Sequence, residues 1–90
     1  MKITDVKIRR ISDETKMKAI VSVTFDDALV IHDIKVIQGY DRIFLAMPSR
    51  KLPSGGFSDI AHPTKKELRD DIEKAVLSAF ENYLNGEIEN

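Results

Sequence analysis

The sequence contains no cysteine and no tryptophan. Without cysteine, disulfide scaffolds, thiolate zinc sites, iron–sulfur clusters and cysteine nucleophiles are excluded. No apolar run approaches the roughly 20 residues that a membrane span needs. Charges also interrupt the N-terminal stretch Met1-Lys2-Ile3-Thr4-Asp5 before a signal-peptide core can form. The expectation is a cytoplasmic, unprocessed protein with no membrane contact. Gly55-Gly56 is not followed by a Walker-type lysine and lacks the strand-to-helix context of a phosphate-cradling loop, so it reads as a turn. Histidine occurs only twice. His32 and Asp33 are neighbours on a predicted strand and point apart, so they do not make an acid–base pair, and His32 reads as a partly buried strand residue with a satisfied ring nitrogen. Asp59 and His62, three apart in an irregular stretch, read as loop braces rather than metal ligands. No nucleophile, base and orienting group assemble into a set, so no catalytic residue, metal site, cofactor or small-molecule substrate is assigned.

What is present suits one small soluble domain over residues 1–90. A chain of 90 residues buries only about 60–65% of its unfolded surface. The 42% hydrophobic and 32% charged fractions are those of a folded globular chain. The net charge of −1 conceals an asymmetry: residues 1–69 carry 13 Lys+Arg against 9 Asp+Glu, whereas residues 70–90 carry 1 against 6. Screening limits electrostatic reach to about 8 Å at physiological salt, so a polyanion responds to the local basic region and not to the sum.

Strands occupy about residues 2–61. Met17 to Phe25 alternates cleanly, with Met17, Ala19, Val21, Val23 and Phe25 on one face. Ile3 to Ile11 and Leu29 to Ile37 are the neighbouring strands, joined by the polar turn Ser12-Asp13-Glu14-Thr15 and by the tight connection Asp26-Asp27-Ala28, which makes an antiparallel meander. Ile43 to Met47 is a short strand stopped by Pro48. Residues 48–56 hold two prolines, two glycines and the adjacent cations Arg50 and Lys51, and read as a loop. Phe57 to Ala61 returns as a short strand. Thr64-Lys65-Lys66-Glu67 has capping-box spacing and predicts a helix over about residues 65–85. Its stripe is Leu68, Ile72, Ala75, Val76, Ala79, Phe80, Tyr83 and Leu84, and Gly86 is its stop.

The fold class is therefore α+β: a twisted antiparallel sheet of four to five strands with one long C-terminal helix packed on one face. Strict alternation places Leu29, Ile31 and Ile37 on one face of the third strand and Val30, Ile34 and Val36 on the other. One helix cannot cover both faces, so a homodimer formed through sheet edges is expected. Phe25, Phe44 and Phe80 fit core positions, which leaves Tyr40 and Phe57 beside loops as candidate stacking groups.

Lys65, Lys66 and Arg69 fall in the first two helical turns, where cations oppose the helix dipole. Two readings stand. Either this is a solvated helix start with Glu67 and Asp70 as counter-ions, or these side chains and Arg50 and Lys51 form a phosphate-binding surface with the free N–H groups of the helix end.

Several segments resemble the stage V sporulation protein G family: Lys2 to Ile11, Met17 to Thr24, Val30 to Ile37, Phe44-Leu45-Ala46-Met47-Pro48-Ser49-Arg50-Lys51, and Phe57-Ser58-Asp59-Ile60-Ala61-His62-Pro63. The most specific are Ala-Met-Pro-Ser followed by two cations, and Asp-Ile-Ala-His-Pro before the helix. The resemblance runs from residue 2 to about residue 80. It implies a small non-enzymatic bacterial regulator, linked to septation, sporulation and gene expression, that binds DNA and RNA as a homodimer. It also associates the cationic loop and helix region with nucleic-acid contact. Arg50 and Lys51 match that pattern with the order of the two cations exchanged. Ser58 stands where members often have Arg, and Lys65 and Lys66 where small polar residues are more usual. The expected phosphate contacts are Arg50, Lys51, Lys65, Lys66 and Arg69, with Arg9 and Arg10 further out. The alternative is a protein-interaction adaptor of the division or transcription machinery that uses the acidic helix end and an exposed sheet edge.

Overall fold

The computed structural model describes residues 1–12 and 15–86. Asp13 and Glu14 of the expected first turn, and the last four residues of the acidic tail, lie outside the described residues. Four strands, β1 (Ile3–Ile11), β2 (Met17–Phe25), β3 (Leu29–Gln38) and β4 (Ile43–Ala46), form an antiparallel sheet in sequential order. Two further strands, β5 (Ser49–Lys51) and β6 (Phe57–Asp59), pair only with each other as a separate ribbon. The helix α1 (Lys66–Leu84) packs on one sheet face, chiefly over β1 and β2.

The core follows from the alternation of β2, whose Ala19, Val21, Val23 and Phe25 are all 1% exposed or less. Ile34, Val36 and Leu45 extend it across β3 and β4, and Ile72, Val76 and Phe80 close it from the helix. Each large apolar side chain fully buried in this way contributes about 1.5–3 kcal/mol relative to exposure.

The outer strands do not keep strict alternation, because bulges shift their register. In β3 the pairs Val21↔Ile34 and Val23↔Ile31 enclose one extra residue, and Asp33 takes a left-handed backbone (φ 64°) to accommodate it. The bulge turns Ile31 to the same face as Ile34 and Val36. The expected division of apolar residues between two faces of β3 is therefore corrected, and the open face keeps only Val30 and Ile37 from that set. A second shift at Lys18 pairs Met17 with Ile37 and takes Met17 off the core face. In β1, shifts at Thr4 and Arg9 bring Ile3, Val6, Ile8 and Ile11 to the helix side although their spacing is not period two.

The turns are chemically specified. Asp26 and Asp27 both have positive φ (53° and 52°), as a tight hairpin turn that matches strand twist requires. The Asp26 carboxylate accepts from the Lys2 N–H at 3.1 Å, and the Thr4 hydroxyl accepts from the Asp27 N–H at 3.0 Å. Gly39 is tight for a different reason: a Cβ there would meet the Phe44 ring at 3.0 Å. Phe44 lies opposite Ile37 on the open face and is 37% exposed, so it is not the core residue its hydrophobicity suggested.

The helix begins one residue later than its sequence signature implies. Lys65 is the N-cap, extended at φ −115° and ψ 139°, and no side chain caps the N-terminus. The extended backbone at Lys65 takes Thr64 out of the first turn, so the Thr64–Glu67 capping box does not form. At the other end Gly86 adopts φ 76° and its N–H donates to the Tyr83 carbonyl at 3.0 Å, a left-handed stop as expected. No helix among the described residues is long and apolar enough to cross a membrane.

Candidate nucleic-acid interface

Arg50 and Lys51 are on a strand and not in a loop, which corrects the sequence reading of residues 48–56. Pro48 ends the run of β4, and its carbonyl accepts the Ile60 N–H at 2.7 Å, pinning the base of the ribbon. At the tip, the Leu52 N–H donates to the Gly56 carbonyl and the Gly55 N–H to the Leu52 carbonyl, both at 3.0 Å. Gly55 and Gly56 have φ of 94° and 83°, a conformation that side chains resist, so the two glycines set the reversal. The prolines and glycines thus confine the irregular backbone to residues 52–56.

The register of the ribbon is Ser49↔Asp59, Arg50↔Ser58 and Lys51↔Phe57. Successive strand residues point to opposite faces, so Arg50 and Lys51 are adjacent in sequence but project from opposite faces of the ribbon. Both are exposed. Tyr40 and Phe57, the candidate stacking groups, are 106% and 73% exposed, and Phe57 shares the Lys51 face.

Lys65, Lys66 and Arg69 are exposed at the start of α1. The Arg69 N–H donates to the Lys65 carbonyl at 3.1 Å, the opening turn of the helix. Lys66 is engaged locally: its Nζ lies 2.7 Å from Asp70 Oδ2, one turn on. The hydrogen bond and charge of Asp70, with a smaller effect from Glu73, raise the Lys66 pKa above its ordinary value. The solvated counter-ion reading therefore describes Lys66. Among the described residues Arg50, Lys51, Lys65 and Arg69 make no ion pair. His62 Nδ1 donates to the Pro63 carbonyl at 3.2 Å, which braces the link between ribbon and helix.

Arg9 and Arg10 lie elsewhere. Arg9 occupies the β1 bulge between the pairs Ile8↔Val21 and Arg10↔Ile20 and lines the open sheet face beside Ser22 and His32. Arg10 shares that face with Ile20. The helix covers the other face, so these two arginines and the cations of α1 stand on opposite sides of the sheet. The seven candidates form no single patch.

One polar feature escaped the sequence reading. Ser22, only 5% exposed, is hydrogen-bonded to His32 Nδ1 at 2.8 Å across β2 and β3, which gives the His32 ring its partner, although His32 is exposed and not partly buried because it stands on the uncovered sheet face. It became possible because the bulge sets Ser22 against both His32 and Asp33, a register that alternation alone does not reveal.

Comparison with known proteins adds the following. The family model described as SpoVG matches residues 1–82. A protein of Caldicellulosiruptor saccharolyticus named "Putative septation protein SpoVG" is 58% identical over 85 residues, covering 94% of this chain and 97% of the relative. A protein of the same name from Clostridium perfringens strain 13 is 57% identical over 89 residues, 99% of each chain. One from Clostridium novyi is 61% identical over 85 residues, 94% of this chain and 85% of the relative.

Proposed function

The chain belongs to the SpoVG family, and from that membership we propose that it is a non-enzymatic regulator of septation or sporulation that acts by binding nucleic acid. The observation that carries the nucleic-acid reading is the set of exposed cations on the β5–β6 ribbon and the helix start, Arg50, Lys51, Lys65 and Arg69, which make no ion pair among the described residues. Exposed, solvated cations are available for phosphate contacts, and such contacts position a protein on DNA or RNA without reading sequence. Lys66 ranks below these four because Asp70 already engages it. Arg9 and Arg10 form a secondary patch on the open face. In this reading the protein is a cytoplasmic homodimer. The outermost strand β1, and the stretch Leu29–Ile34 of β3 that lies beyond the end of β4, are the edges through which two copies would pair.

Fluorescence anisotropy against labelled duplex DNA, single-stranded DNA and RNA at two salt concentrations tests the proposal. Binding should weaken with salt by a slope of about −0.9 per phosphate contact on duplex and about −0.7 on single strands. Arg50→Glu with Lys51→Glu should abolish it. Absence of binding to all three at low salt would transfer the assignment to the protein-interaction adaptor.

A further inference from the structure

The Phe57 side chain stands outside the core. It is 73% exposed although it stands on a strand, and it belongs neither to the core nor to the shell packed on it. Its partner across the ribbon is Lys51, directly opposite in antiparallel register, so ring and ammonium project side by side from one face. Ser49 and Asp59 form the adjoining pair on that face, and Arg50 and Ser58 project from the other.

We propose that this ribbon face is a site for single-stranded nucleic acid, in which Phe57 stacks an unpaired base and Lys51 neutralises the adjoining phosphate. The inference rests on the nucleic-acid reading above and narrows it to strands with unpaired bases. An aromatic ring stacks on any base, but only when that base is free of a duplex, whereas a cation alone does not make this distinction. An apolar peptide would leave Lys51 desolvated without a partner, whereas a polyanion satisfies the cation while its bases cover the ring. Arg50 is on the same strand, and Lys65 follows Asp59 by six residues, at most about 22 Å of extended chain. The Asp59 carboxylate, on the same face at the base of the ribbon, repels phosphate there and leaves the Lys51 end for the backbone.

The test is an anisotropy titration of the full chain against a short single-stranded DNA, the RNA of the same sequence and the corresponding DNA duplex, with Phe57→Ala, Phe57→Leu, Phe57→Tyr and Lys51→Gln. The expected results are a loss of about tenfold in single-strand affinity for Phe57→Ala and Phe57→Leu, retention in Phe57→Tyr, and unchanged duplex affinity in all three. Lys51→Gln should weaken every complex and reduce the single-strand salt slope by about 0.7. Equal loss on DNA and RNA strands for Phe57→Ala would show that the ring reads base faces without the 2′-hydroxyl, as proposed. Should Phe57→Ala leave single-strand affinity intact while Lys51→Gln lowers it, the stacking site is wrong and the broader nucleic-acid reading stands. If no nucleic acid binds, both fall. Sedimentation of Phe57→Ala supplies a further check: loss of self-association with nucleic-acid affinity unchanged would make the ring a contact between copies and overturn the proposal.

Discussion

Asp33 and Ile72 show how single residues hold this small fold. The φ of 64° at Asp33 is tolerated by aspartate but costs a β-branched residue about 1–2 kcal/mol, because a left-handed backbone drives Cβ against the following carbonyl. Asp33→Gly should therefore leave the melting temperature unchanged or slightly higher, and Asp33→Val should lower it, as read by calorimetry. Ile72 is 2% exposed between helix and sheet, and Ile72→Ala should cost about 2–5 kcal/mol through lost burial and a cavity. Domains of this kind are stabilised by about 0.05–0.15 kcal/mol per residue in total, so that one change removes a large share, visible as a lower urea midpoint. Legibility also varied residue by residue. Ala19, Val21, Val23 and Phe25 were readable because β2 runs centrally and alternates without interruption over the core. Alternation separates Ile31 from Ile34 and Val36, whereas the structure puts the three on one face, because a bulge is a backbone event that leaves no mark in the apolar pattern. Met17 leaves the core face for the same reason.

At the scale of elements, the strands and the helix were legible from periodicity, and their exact ends were not. The helix start is set by the extended backbone at Lys65, which leaves Thr64 outside the first turn and its capping signature unused. The result is an uncapped N-terminus with a cation at its N-cap. Lys65→Asp would provide a carboxylate acceptor there and should stabilise by about 1 kcal/mol, or about 4–8 °C in melting temperature for a domain of this size. The same substitution removes a proposed phosphate contact, so nucleic-acid affinity should fall as thermal stability rises. The ribbon shows the opposite failure of legibility. Three-residue strands are too short for periodicity to register against two prolines and two glycines, so Arg50 and Lys51 looked like neighbours on a loop. Antiparallel pairing sends them to opposite faces and puts Lys51 beside Phe57.

At the scale of the whole molecule, the sheet separates two groups of cations. The helix start stands on the covered side, Arg9 and Arg10 line the open side, and the ribbon extends from the β4 edge. This placement ranks the candidates. Arg9→Glu with Arg10→Glu should lower nucleic-acid affinity less than Arg50→Glu with Lys51→Glu, measured at one salt concentration by anisotropy. The charge asymmetry between residues 1–69 and 70–90 pointed to a basic region, but only the fold reveals that its members face in different directions. The family was legible because its most specific segments, Ala46 to Lys51 and Asp59 to Pro63, build the ribbon and the link from it to the helix.

The most direct measurement is an NMR titration of isotope-labelled protein with a short single-stranded oligonucleotide, following backbone amides. Shifts should concentrate at Ser49–Lys51, Phe57–Asp59 and Lys65–Arg69, with smaller changes on β1. Shifts confined to the open face around Ser22 and His32, or no shifts at saturating oligonucleotide, would contradict a ribbon and helix-start interface.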